Sequence, residues 1–319
     1  MIADLARLVL LTAMVAGGSS CGGGAKSPAP SAPTPVPTGT TPSTSLAPLP
    51  YGQAIAGSVP CPAGTGPSAS ATCSSLAVTC PSVPSASTTL RVTRPASTAS
   101  NRGTIILTTG GDGTNFADSV LTGAMISTFV ADGLTVVQMA WNPPGIWGDA
   151  RARTVACRYA TAAKWIYDNI HVGGRSRLFA AQGTSGGASQ IGFALAHYGF
   201  GDFLDLANLG GGPTACPLCP CDGQAAVEPL LPVSLFSNVC SRPPPSTRDP
   251  LLNYPATVAR FFLGDQDDNH EGTADHAKAY YGAITSSKSF TTVPNTPHVV
   301  ESTQAGVDAF VAAVRGALK

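Results

Sequence analysis

Charge is scarce in this chain. Asp, Glu, Lys and Arg make up 11% of its 319 residues, where an ordinary soluble domain carries about 25%. The 18 basic and 18 acidic side chains cancel. The basic surplus that drives non-specific nucleic-acid binding is missing, so no nucleic-acid partner is expected. Also missing is any acidic tail or block of like charges, the kind that solvates a disordered chain. No apolar run reaches the roughly 20 residues that a helix needs to span a bilayer, and no internal repeat is visible. What is present is a hydrophobic content of 43%, enough for a real core. Glycine (35) and proline (28) are abundant, and there are nine cysteines. The odd count matters, because one cysteine must stay outside any set of disulfides.

Residues 1–21 read MIADLARLVLLTAMVAGGSSC. Arg7 gives a weak positive start, offset by Asp4. An apolar run from Leu8 to Ala16 follows, and small residues lead to Cys21. This order predicts a secretory signal peptide. Cys21, at its end, resembles the lipid-accepting cysteine of bacterial lipoproteins, although Gly18 stands where such boxes usually carry leucine. The alternative is an ordinary signal peptide cut nearby, with Cys21 left as a free thiol. Residues 22–50 contain no aromatic residue and almost no charge. Pro, Ser, Thr and Gly dominate, so no core can form there and a semi-extended tether is expected. A tether after a lipid-bearing Cys21 would hold a folded domain, residues 51–319, off a bacterial membrane or cell surface. Without the lipid the domain would be secreted.

Eight cysteines remain: Cys61, Cys73, Cys80, Cys157, Cys216, Cys219, Cys221 and Cys240. Export brings a chain into an oxidising compartment, so all eight are disulfide candidates. Spacing does not choose among their pairings. The cluster Cys216, Cys219, Cys221, with Cys240 later, could also be read as a zinc site. Its tight spacing, the crowding prolines and export favour disulfides.

The pattern along residues 51–319 alternates strands and helices, which predicts an α/β sheet. Ser74–Thr79 and Thr88–Thr93 read as an edge hairpin joined by the turn-rich CPSVPSAS. Strands follow at Thr104–Thr109, Thr135–Ala140, Ser176–Gln182, Leu204–Leu209, Val258–Leu263 and Ser289–Val293. Helices are predicted over 117–132, 149–169, 189–197, 273–284 and 302–318. Cys157 falls in the second, so one disulfide is expected to tie that helix to a loop. Residues 214–255 are irregular and rich in Pro and Cys. A structureless stretch of about 40 residues inside a domain is usually functional, and it reads as a stapled cap or lid.

Four local signals carry chemistry. Gly183-Thr184-Ser185-Gly186-Gly187 matches G-x-S-x-G, a weak pattern alone in so glycine-rich a chain. Here a strand feeds it and a helix leaves it. Such a turn lifts the serine hydroxyl above the sheet, beside the N–H groups of the helix start. The ordinary alternative is a glycine-rich strand–helix loop. The second signal is Asp265-Gln266-Asp267-Asp268 beyond the strand VARFFL. One of these aspartates could reach a histidine above the sheet; Asp267 leads, then Asp265, then Asp268. The third is His298, between the last strand and the last helix, where a general base would approach Ser185; His270 is the reserve. His171, His197 and His276 read as surface or packed imidazoles. The fourth is Gly110-Gly111-Asp112-Gly113 after an early buried strand. With the N–H of Gly186, a backbone N–H of this loop could form an oxyanion hole. A phosphate-binding loop is the alternative, but the Lys-Ser/Thr and G-x-G-x-x-G patterns are absent.

The order Ser185, Asp267, His298, with an elbow after a mid-sheet strand and a glycine loop, resembles the α/β-hydrolase fold superfamily over residues 73–319. The resemblance implies a mostly parallel sheet flanked by helices, with a Cys/Pro-rich cap inserted before the acid strand. It implies Ser185 as nucleophile, His298 as general base and Asp267 as the group orienting the imidazole. Gly111 and Gly186 would donate to the oxyanion. The loop opens with Thr109-Gly110 where the superfamily commonly has His-Gly, which leaves the loop donor less defined. No metal or organic cofactor is implied. Carboxylic esters, small or polymeric, are the implied substrates, and Trp141 and Trp147 could line a pocket for them or merely pack. A binding protein without catalysis, a peptidase and an acyltransferase share the same scaffold.

Overall fold

The computed structural model describes residues 47–62, 71–97, 100–146, 156–213, 250–268 and 272–319. Among these residues nine strands form one sheet: β1 Gln53–Ser58, β2 Thr72–Cys80, β3 Val83–Thr93, β4 Gly103–Thr108, β5 Leu134–Trp141, β6 Leu178–Thr184, β7 Leu206–Gly210, β8 Val258–Gly264 and β9 Lys288–Val293. Their spatial order is β1-β2-β3-β5-β4-β6-β7-β8-β9. The first three strands and β5 pair antiparallel; the pairs from β5 to β9 are parallel. Among the described residues five α-helices accompany them: α1 Val120–Ala131, α2 Ala156–Asn169, α3 Gly186–Tyr198, α4 Thr273–Ala283 and α5 Gln304–Ala317. Among the described residues no helix is long and apolar enough to cross a membrane.

Side chains alternate faces along a strand, and here both faces are covered. Ile106, Val137, Met139, Phe179 and Ala181 join one core cluster with residues of α2 and α3. Ile105, Leu107, Val136, Leu178 and Ala180 join the other with residues of α1 and α5. That is why β4, β5 and β6 are buried at every position and read in the sequence as continuous apolar runs. The helix starts follow local chemistry: Ser119 accepts from the Thr122 N–H at the start of α1 and Thr303 from the Gly306 N–H at the start of α5.

Strand order reverses at the centre. The chain leaves β4 toward β5 on one side and returns to β6 on the other. The loops leaving β4 and β6 therefore face each other at the carboxyl ends of the strands, the usual place for a ligand in an open α/β sheet.

Three features differ from the sequence expectations. β1 was not anticipated; its QAIAGS is almost wholly exposed, so no apolar alternation marks it. β3 begins at Val83, inside the stretch read as a turn. The turn shrinks to Pro81-Ser82, with Ser82 at φ 64°. Pro84 is accommodated beside a register shift between Val78 and Cys80, where the ladder is already broken. The Cys157 disulfide runs not to a loop but to Cys80, the last residue of β2. A second bridge joins Cys61 to Cys73. Cys216, Cys219, Cys221, Cys240, Cys21 and most of the 214–255 segment lie outside the described residues.

Candidate active site

Ser185 stands between the last residue of β6 and the first of α3, with φ 55° and ψ −117°. A non-glycine residue at positive φ is strained, and the surroundings must hold it there. They do so by close approach. A side-chain carbon on Gly186 would fall 2.2 Å from the Gly111 carbonyl oxygen, and one on Gly183 2.5 Å from the Gly187 carbonyl carbon. Glycine is required at both places. The Ser185 N–H donates to the Gly210 carbonyl at the end of β7 (2.8 Å), and the Ser189 N–H donates back to the Ser185 carbonyl (3.0 Å). The elbow is thus fixed to the neighbouring strand and to its own helix.

His298 is brought to the same place by β7. Gly211, next after the residue that anchors Ser185, approaches the imidazole so closely that a side-chain carbon there would lie 3.2 Å from its Nδ1. The His298 Nδ1 is 3.0 Å from Asp267 Oδ2, and that carboxylate is 2% exposed. Of the three aspartates, Asp267 is the one that meets the imidazole. Asp265 accepts from the Thr296 N–H at 3.2 Å instead, and Asp268 is exposed.

The β4 loop closes over the elbow. The Gly113 N–H donates to the Gly110 carbonyl at 3.1 Å, making a tight turn with Gly111 at φ 56°. Gly111 N lies 2.9 Å from the place a Gly186 side-chain carbon would occupy, so the two glycine amides are neighbours. Trp141 holds this loop from below. Its N–H donates to the Gly113 carbonyl at 2.8 Å, and its ring Nε1 donates to Gln190 Oε1 at 3.2 Å. Trp141 is 1% exposed and Gln190 fully buried. Trp141 therefore packs beneath the glycine loop rather than lining an open pocket. Trp147 and His270 lie outside the described residues.

The other histidines are packed. His197 is fully buried, and His276 is 7% exposed. His171 is held between the Thr104 hydroxyl and the Gly174 carbonyl, and burial lowers its pKa. Among the described residues no group of three His, Cys, Asp or Glu is placed to hold a metal.

Two features escaped the sequence reading. An open pocket of about 590 Å³ flanks the glycine loop, lined in part by Thr114, Asn115, Phe116 and Asn142. Its floor is Arg91, whose buried guanidinium binds Asp118 at 2.6 Å and lies 3.9 Å from the Phe116 ring centre. The other is Glu301, whose carboxylate accepts a hydrogen bond from the Thr184 hydroxyl, one residue before Ser185. Burial pushes the Glu301 pKa up, opposed by that bond and by the nearby His298. Nothing local marked either residue, because both roles arise only where distant strands meet.

Comparison with known proteins places the fold. No protein-family model and no curated protein matches the chain. Among solved structures, ferulic-acid-bound Est1E from Butyrivibrio proteoclasticus superposes with a TM-score of 0.50 at 12% identity, over 75% of this chain and 96% of that one. Dienelactone hydrolase from Anabaena variabilis gives a TM-score of 0.48 at 13% identity, over 78% of this chain and 99% of that one. At such identities the likeness is one of fold. With the strand order and the elbow, it defines the class: the chain has the α/β-hydrolase fold.

Proposed function

We propose that this protein is an exported serine hydrolase acting on carboxylic esters through Ser185, His298 and Asp267. The observation that carries the reading is the strained elbow of Ser185, tied to Gly210, with a histidine packed on the adjacent Gly211 and hydrogen-bonded to a buried aspartate. A serine hydroxyl attacks well only when a base takes its proton as the bond forms. His298 is that base, and it returns the proton to the leaving alcohol. The Asp267 carboxylate fixes the imidazole tautomer and stabilises the imidazolium. Charge developing on the substrate oxygen is met by the N–H groups of Gly111 and Gly186, and a donor of this kind is worth about 10²–10³ in turnover. Water then releases the acyl group from Ser185. The chemistry uses side chains and backbone amides alone.

The predicted signal peptide, Cys21 and the 22–50 tether support a location outside the cytoplasm, with a lipid anchor on a bacterial membrane or surface, or secretion if Cys21 stays unmodified. The test is turnover of short p-nitrophenyl esters by the full chain. The expected result is hydrolysis by the wild type and a fall of several orders of magnitude in Ser185→Ala. A wild type that turns over no ester would remove the ester reading. Equal turnover by wild type and variant would remove Ser185 from the reaction.

A further inference from the structure

Resting on that reading, we propose that Glu301 is a second acidic positioning residue of the site, tying the nucleophile elbow to the histidine loop and supplying negative charge beside His298.

The geometry joins the two halves of the reaction. Glu301 lies three residues after His298, in a short 3-10 turn, Val300–Ser302, leading into α5. Its carboxylate reaches past Gly210, at the end of β7, to the hydroxyl of Thr184, the residue whose carbonyl leads into the Ser185 elbow. Gly210 holds the gap open: a side-chain carbon there would fall 2.8 Å from the Thr184 hydroxyl oxygen and 3.4 Å from Val300 Cβ. So the loop carrying the base and the strand carrying the nucleophile meet through one carboxylate.

The surrounding elements leave this carboxylate little other company. α1 carries no charged residue. On α5, Asp308 binds the Gln304 amide and Arg315 pairs with Asp132. On β8, Arg260 lies beside Gly316. Past the end of β8, Asp265 faces the Thr296 N–H and Asp267 faces His298. His298 is the titratable group whose charge acts on Glu301. By the same interaction, an ionised Glu301 favours the imidazolium that forms during attack.

The linkage has a definite sign. A carboxyl whose pKa rises on folding contributes stability below its ordinary value and loses it as pH rises through the folded one. Protonated Glu301 therefore contributes more to stability than the ionised carboxylate does.

The experiment compares wild type, Glu301→Gln and Thr184→Val in the full chain. It measures the pH profile of kcat/KM for p-nitrophenyl acetate and the thermal midpoint at pH 8. Glu301→Gln keeps the shape and an acceptor for Thr184 but removes the charge. It is expected to lower kcat by about tenfold, to move the acid limb of the profile to lower pH, and to unfold no earlier than wild type. Thr184→Val is expected to lower kcat while it remains folded, which keeps the proposal testable should Glu301→Gln fail to fold. An unmoved acid limb with kcat within about twofold of wild type overturns the proposal, as does an unchanged kcat in folded Thr184→Val. A wild type inert toward the ester removes the enzyme reading and this proposal with it; an active wild type beside unaltered variants removes this proposal alone.

Discussion

Three aspartates follow the end of β8, and one contact separates them. Asp267 reaches the His298 Nδ1, while Asp265 serves the Thr296 backbone. Asp267→Asn is expected to lower kcat by about 10³–10⁴, because the amide no longer selects the imidazole tautomer the base needs. Asp265→Asn should leave kcat little changed. Measured ester turnover with the larger loss at Asp265 would reverse the roles. The sequence made Ser185 and His298 stand out, since one sits in a patterned turn and the other in the last strand–helix loop. It put Asp267 first among the aspartates, whereas their difference is a matter of which carboxylate turns toward which partner. Glu301 and Gln190 were invisible to it. Their partners, Thr184 and Trp141, are 117 and 49 positions away, and nothing in local pattern encodes such contacts.

The inner parallel strands β4, β5 and β6 were legible because burial on both faces leaves largely apolar runs. The exposed edge was not: β1 lacks alternation and the first half of β3 contains Pro84, a residue that argues against a strand unless the ladder is irregular. That edge is fastened covalently. Cys80 at the end of β2 joins Cys157 in α2 across a separation of 77 residues. Closing a loop of this size removes unfolded-chain entropy worth about 4 kcal/mol in the simplest model. The double variant Cys80→Ala, Cys157→Ala is therefore expected to unfold at distinctly lower urea concentration with a similar slope. An unchanged midpoint would show that packing of α2 alone secures the edge.

At the scale of the whole molecule, scarce charge and abundant glycine acquire a shared meaning. The centre of the sheet is covered on both faces, so few positions there need charge. The glycines cluster where backbone meets backbone at the switch point, between the β4 loop and the β6 elbow. The chemistry then depends on a few buried or half-buried groups rather than on surface fields. The cysteine-rich segment 214–249 enters the chain between β7 and β8, the two strands that anchor the elbow and lead to Asp267.

The central claim is that Ser185 is an activated nucleophile, and covalent capture tests it most directly. The full chain is treated with a fluorophosphonate and the adduct is located by peptide mass. One modification is expected, on the peptide containing Gly183-Thr184-Ser185-Gly186-Gly187, absent in Ser185→Ala. No adduct on the wild type, or an adduct that persists on another residue in Ser185→Ala, would contradict it.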